Sequence, residues 1–199
     1  VTTEAIVTFQ YFVCTLLCLP RILRCGIRTL HTQRIGLHLM RGLAGVTSFY
    51  LFYAAIEQIP LMDAMMLRQS APLTVPLVMW IWSREKIPKS AWLPLSIGFA
   101  GIAVILRPSP LGFSWWHLGG LFSALGLSIS MVGTRKLAST EPTARILFYY
   151  CALSLACVAP FSLHDFRGIA TLDWIALWYV GIAIYLVLVL YTWAYGMAP

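Results

Sequence analysis

The stretch LMDAMMLRQSAPLTVPLVMWIW, Leu61 to Trp82, followed by Ser83-Arg84-Glu85-Lys86, decides the fold. It has about the length a helix needs to cross a bilayer at ~1.5 Å of rise per residue. Inside it stand one arginine, Arg68, and two prolines four apart, Pro72 and Pro76. An isolated charge in such a segment costs at least ~2.5 kcal/mol on the mildest scale, so Arg68 is expected to face a polar interior. Each proline removes a backbone donor and loosens the preceding turn, which makes Pro72 and Pro76 the expected helix kinks. A charged, proline-interrupted spanning helix points to a pathway through the membrane.

Composition places the rest of the chain in the same class. Hydrophobic residues make up 60%, charged residues 11%, and mean hydropathy is +0.81. A soluble domain carries roughly 25% charged residues, so this chain lacks the polar groups to cover its own surface. It reads as an all-α integral membrane protein. The net charge of +7 comes from small basic groups between apolar runs, not from one basic face, and nucleic acid is excluded as a partner. Five cysteines stand at 14, 18, 25, 151 and 157. Cys14 and Cys18 are one helical turn apart, yet no His or Cys pair is spaced to complete a metal site, so no metal or cofactor is expected. The start at Val1 shows no basic flank or cleavage pattern and reads as that of a fragment.

Seven hydrophobic segments follow in order, at about residues 4–19, 37–56, 61–82, 91–106, 116–133, 146–163 and 174–197. None alternates with the period of two found in barrel strands, and their lengths suit helices. The first is expected to stop at Pro20. With Arg41 counted at the edge of the second segment, the loops after the first, third and fifth hold eleven basic residues, against Arg107 and Arg167 on the other side. Positive charge stays in the cytoplasm, so Glu4 is expected outside and Pro199 near the inner face.

Pro20 and Pro60 close the first two segments 40 residues apart, and Pro160 and Pro199 close the last two 39 apart. In that register Phe9 matches Tyr149, Leu51 matches Leu190, Phe52 matches Tyr191 and Ala55 matches Ala194. The loop after Pro20 is basic, whereas the one after Pro160 carries Asp165, Arg167 and Asp173. Equivalent positions thus fall on opposite sides of the membrane, the mark of inverted repeats. The offset implies an inverted-repeat transporter bundle of ten helices, of which seven are present: residues 1–110 as a first repeat lacking its first helix, and 111–199 as a second lacking its last two.

The run from Arg41 to Pro108 resembles the first EamA repeat of the drug/metabolite transporter superfamily. The residues that carry the likeness are Arg41-Gly42 opening one helix, Ala54 and Pro60 closing it, Pro72 in mid-helix and the Arg84-Glu85 turn. Gly98-Phe99-Ala100-Gly101 before Arg107-Pro108 completes the pattern. TRKLAST and LYTWAYGMAP are similar to parts of the second repeat. The resemblance implies a plasma-membrane permease, bacterial inner membrane by expectation, that moves a small organic metabolite by alternating access. Amino acids, vitamins and S-adenosylmethionine-like compounds are all within the family's range. Gln10 stands where many family members carry an arginine.

The candidate substrate-binding residues are Arg68, Gln10, Tyr53, Ser130 and Trp193, each with a plainer alternative. Arg68 also fits a snorkelling side chain or an ion pair with Asp63. Gln10 fits a packing hydrogen bond between helices, and the aromatic residues fit simple packing. Gly42/Gly45, Gly98/Gly101 and Gly119/Ser123 read as places of close helix approach. His31, His38, His117 and His164 lie in or near loops and are expected to be solvated. No catalytic residue is named, because carboxylates fall only at span ends and no nucleophile accompanies the His164-Asp165 pair. A non-transporting scaffold or an intramembrane enzyme is the alternative class. The expected partners are a small-molecule substrate and the lipid bilayer, with a homodimer left open.

Overall fold

The computed structural model describes residues 3–25, 30–84, 88–106, 114–162 and 171–197. All regular structure among them is helical: α1 (Thr3–Cys25), α2 (Ile35–Gln58), α3 (Leu61–Gln69), α4 (Ala71–Ser83), α5 (Lys89–Leu106), α6 (Trp115–Ala138), α7 (Thr143–Ser162) and α8 (Thr171–Met197). Five of these, α1, α2, α6, α7 and α8, are each long and apolar enough to cross a membrane. The expectations for Arg28, Glu85, Lys86, Arg107, His164, Asp165, Arg167 and Pro199 fall outside the described residues.

Two helices depart from the sequence reading. α1 does not stop at Pro20 but runs on to Cys25, with Arg24 in its last turn. Proline in a membrane helix costs one backbone bond, and a cation near the C-terminus complements the helix dipole. The stretch 61–82 is not one helix but two. Ser70 (φ −72°, ψ −6°) ends α3 and precedes α4. Pro72 has no N–H to offer the Arg68 carbonyl, and its ring crowds that carbonyl, so the chain breaks one turn earlier. The break is tightened by short-range bonds. Ser70 N donates to Leu67 O at 3.1 Å and Leu73 N to Ser70 O at 2.9 Å. The Ser70 hydroxyl also donates to Leu67 O at 2.5 Å. Pro76 lies inside α4, which continues through it to Ser83. There Arg84 (φ 54°, ψ 22°) closes the helix in the left-handed conformation.

The chain forms two compact units, Val1–Val46 with Gly133–Pro199, and Thr47–Val132. In the first, α1 packs on α7 and α8. Phe9, Val13 and Leu177 form a buried cluster joined by Ile6, Leu17 and Trp174. The Phe9 ring meets Trp174 and Trp178 edge-on, with centroids 5.2 and 5.4 Å apart. Val13 sits directly on Gly181, where an added Cβ would come within 2.8 Å of it. That bare backbone lets α8 approach α1 closely. Along the exposed face of α8 run Ile175, Tyr179, Ile182, Leu186, Val187, Leu190 and Trp193, an apolar surface suited to lipid.

In the second unit Ala55, Ile59, Ala64, Leu67 and Ile102 make the buried cluster, flanked by Phe52, Ile56, Leu73 and Leu121. Two hydroxyl clamps tie its helices to α6. Ser48 Oγ donates to Ser123 O at 2.7 Å, and Ser123 Oγ returns a bond to Ser48 O at 2.9 Å. The Ala71 carbonyl accepts from Thr74 Oγ1 at 2.9 Å and Ser128 Oγ at 2.8 Å. In an apolar medium such bonds fix helix register where hydrophobic burial supplies little drive.

Candidate functional site

Arg68 stands in the last turn of α3, where the helix breaks. The partial negative charge of that helix end favours a cation by about 0.3–1 kcal/mol. Its Nη1 donates to Ser48 O at 3.4 Å and Ser123 Oγ at 3.3 Å. The guanidinium carbon also lies 4.4 Å from the Phe49 ring centroid and 4.5 Å from that of Phe52. Leu67 makes this placement possible by packing on Gly120, where an added Cβ would lie 2.9–3.1 Å from the leucine side chain. With α3 that close to α6, the next side chain reaches Ser123, three residues beyond Gly120. Arg68 is half-buried, and Asp63 stands 4.0 Å from His117 Nε2. A groove of about 650 Å³ runs along α3, lined by Leu61, Met62, Met65 and Met66 with Gln69, Ser70, Leu73 and Ile102. Arg68 does not line it.

The other candidates divide between the units. Gln10 is 1% exposed, and neither atom of its amide has a hydrogen-bond partner among the described residues. Tyr53 is half-buried and stacks near Phe49, with centroids 6.3 Å apart and planes at 25°. Ser130 is buried. Trp193 is exposed on α8. None of these four lines the groove along α3.

A second intramembrane arginine escaped the sequence reading. Arg41, counted there with the basic residues at the edge of a span, is the seventh residue of α2 and only 2% exposed. Its Nη1 donates to Ile146 O at 3.0 Å, and its guanidinium carbon lies 4.5 Å from the Tyr150 ring centroid. Nε has no acceptor among the described residues. No described carboxylate lies within ion-pair distance of Arg41; the ion pairs of this unit are His38–Glu141 and Arg145–Glu141. Two glycines build the setting. The Tyr150 ring lies against bare Gly45, where a Cβ would fall 2.6 Å from the ring, and Gly133 lies against the Arg41 stem, with a Cβ at 3.3 Å. The Tyr150 hydroxyl stands 3.2 Å from that of Tyr11. The local signal was RGLAG: an arginine, then a glycine four residues on that clears one helix face for an aromatic ring.

The histidine expectation needs correction for two positions. His38 is 1% exposed, with Nε2 2.6 Å from Glu141 Oε2 and its ring over Tyr149 at 4.6 Å. Thr32 Oγ1 donates to the other Glu141 oxygen, and Tyr149 donates to Leu30 O at 2.8 Å. A buried imidazole needs a polar partner, and the carboxylate in the α6–α7 turn supplies it. His117 is likewise buried at 6% exposure, with Nδ1 3.0 Å from Ser114 O. His31 is exposed. The glycine pairs are also unequal. Gly42, Gly45 and Gly98 meet neighbouring helices, Gly119 meets only Trp116 of its own, and Gly101 has nothing within 4 Å.

The helices, their apolar outer faces and the buried arginines define a multi-pass, all-α membrane protein. The chain belongs to the EamA-like transporter family, whose model matches residues 1–107. It is 30% identical over 179 residues to the pseudopaline exporter CntI of Pseudomonas aeruginosa, covering 89% of this chain and 63% of that protein. It is 27% identical to a riboflavin transporter of Brucella anthropi, over 73% of this chain and 51% of the relative. An S-adenosylmethionine uptake transporter of Rickettsia bellii is 24% identical over 76% of this chain and 52% of the relative. The chain thus spans between half and two thirds of these relatives' lengths. A solved crystal structure superposes with a TM-score of 0.68 at 20% identity, over 99% of this chain and 70% of that one, and shows the same fold.

Proposed function

We propose that this protein is a carrier, not an enzyme, that moves a small organic metabolite across the plasma membrane, the inner membrane in a bacterium. Its two inverted repeats, residues 1–110 and 111–199, alternate access to a cavity between them. Family membership supports the carrier class, and the relatives' names span an exporter and uptake systems for chemically different organic solutes. Basic loops orient Arg24 and Lys136 to the cytoplasm.

The observation that carries the site assignment is Arg68 at a helix break, held by one hydroxyl, one carbonyl and two aromatic rings. A broken membrane helix is where carriers place polar groups for a solute. Arg68 presents a forked donor to an anionic or carboxylate-bearing part of the solute. Gln10, Tyr53 and Ser130 are the further solute contacts in this reading. Trp193, exposed on α8, is the weakest of the set.

The test is transport by the full-length protein, normalised to the amount in the membrane. Arg68→Ala is expected to lower it ~10–100-fold, the loss of a hydrogen bond to a charged group worth about 1.5–3 kcal/mol. Arg68→Lys, which keeps charge without the fork, is expected to fall between. Normal transport by well-inserted Arg68→Ala would remove Arg68 from the pathway.

A further inference from the structure

In the unit built from residues 1–46 and 133–199, the guanidinium of Arg41 is shielded from solvent yet incompletely satisfied. Among the described residues it makes one bond, to Ile146 O through Nη1, and rests on one ring, Tyr150. The Nε edge of its fork is unoccupied by any described residue. The ionisable groups around it include the ordinarily neutral Tyr11, Tyr150, Tyr191 and Cys151, and His38 one turn away, whose own partner is Glu141. A buried cation of this kind calls for an anion, and no described side chain provides one.

We infer that Arg41 is the centre of an anion site that takes a carboxylate. The shape of the free edge favours this chemistry. Nε–H and the neighbouring Nη–H run parallel and match the two oxygens of one carboxylate, whereas a monatomic halide engages them less well. The surrounding phenols add neutral donors and apolar walls. Tyr191, whose hydroxyl is buried and whose ring lies 4.7 Å from that of Tyr195, is in the same electrostatic neighbourhood. The glycines are part of the construction: Gly45 gives the Tyr150 ring its seat and Gly133 clears the Arg41 stem. Arg41 is 2% exposed, and the Tyr150 ring on which it rests also meets Tyr11, edge-on with centroids 5.8 Å apart and hydroxyls 3.2 Å apart.

The site stands on the geometry of this unit alone. That its carboxylate belongs to the transported solute rests on the carrier reading. Two arms keep the claims apart. In the first, the purified full-length protein is melted across a series of sodium acetate concentrations, with sodium chloride at equal ionic strength as the reference. The wild type is expected to gain stability with acetate beyond the chloride effect. Arg41→Gln, which retains a donor for the Ile146 carbonyl, is expected to need at least tenfold more acetate for the same gain. Arg41→Lys and Tyr150→Phe are expected to fall between them. An acetate response identical in wild type and Arg41→Gln overturns the site, and so does a wild type that responds equally to the two salts. In the second arm, acetate that slows transport by wild-type protein, but slows Arg41→Gln only at tenfold or more higher concentration, assigns the carboxylate to the solute. Unchanged transport beside an Arg41-dependent melting shift retains the anion site and overturns only its assignment to the solute.

Discussion

Arg68 ends a short helix and is held by two oxygens, two rings and the negative end of the helix dipole, while remaining half-buried. Arg41 stands in the body of α2, almost fully buried, with one carbonyl and one ring. Both are arginines in apolar helices, and both rest on aromatic faces. The difference lies in how the charge is met. Around Arg68 the fold supplies acceptors from the helix it packs against and from α6. Around Arg41 it supplies a slot and leaves one edge of the guanidinium open among the described residues. Position in a hydrophobic segment therefore does not tell how completely a charge is satisfied. The backbone that approaches it does.

Glycine substitutions sharpen this contrast. Gly45→Ala drives a Cβ to 2.6 Å from the hydroxyl-bearing edge of the Tyr150 ring, which also carries Arg41. The ring is rigid and buried between Arg41 and Tyr11, so a loss of about 1–3 kcal/mol is expected, typical of overpacking. Gly98→Ala drives its Cβ to 2.5 Å from a Leu73 methyl, which is the far end of a flexible side chain. A rotamer change relieves it, and the expected loss is under ~1 kcal/mol. Denaturation midpoints of the two variants check the order; equal losses would mean that the Tyr150 seat is not rigid.

A smaller effect is expected from Ser123→Ala, which removes one acceptor from Arg68 and the donor to Ser48 O but leaves the reverse bond from Ser48 Oγ to the Ser123 carbonyl. About 0.5–1.5 kcal/mol of stability should go, the net worth of a typical hydrogen bond. Transport should fall by only a few-fold, because Ser48 O and both phenylalanine rings still hold the guanidinium. A loss as large as that of Arg68→Ala would make Ser123, not Arg68, the group that meets the solute.

Much of the architecture was legible because the bilayer imposes it. Apolar runs of spanning length and basic loops are consequences of lipid solvation, and they survive without tertiary information. The break in the third segment was half legible. Pro72 and Pro76 announced a disturbance; a break falls at Ser70, beside Pro72, while Pro76 lies in the interior of α4. The sequence shows the missing donors and not which carbonyls find other partners. Arg68 was visible because apolar residues surround it in the chain. Arg41 was not, because three residues after His38 and near a basic loop it resembles an ordinary interfacial flank. Its burial comes from α6 and α7, through Gly133, Ile146 and Tyr150, which are distant in the chain. His38 escaped for the same reason, since Glu141 lies about a hundred residues away.

The claim that the fold satisfies Arg68 but leaves Arg41 waiting for an anion is tested most directly by removing each charge in turn. The measurement is the melting midpoint of full-length protein in carboxylate-free buffer, for Arg41→Met and Arg68→Met beside wild type. Methionine keeps a flexible, unbranched apolar stem of similar reach. Arg68→Met is expected to melt lower by several degrees, at roughly 2–4 °C per kcal/mol for a chain of this size, because it removes two hydrogen bonds and two cation–ring contacts. Arg41→Met is expected to melt at or above wild type, since replacing an uncompensated buried charge with an apolar group is neutral or stabilising. A fall for Arg41→Met as large as that for Arg68→Met would contradict the account.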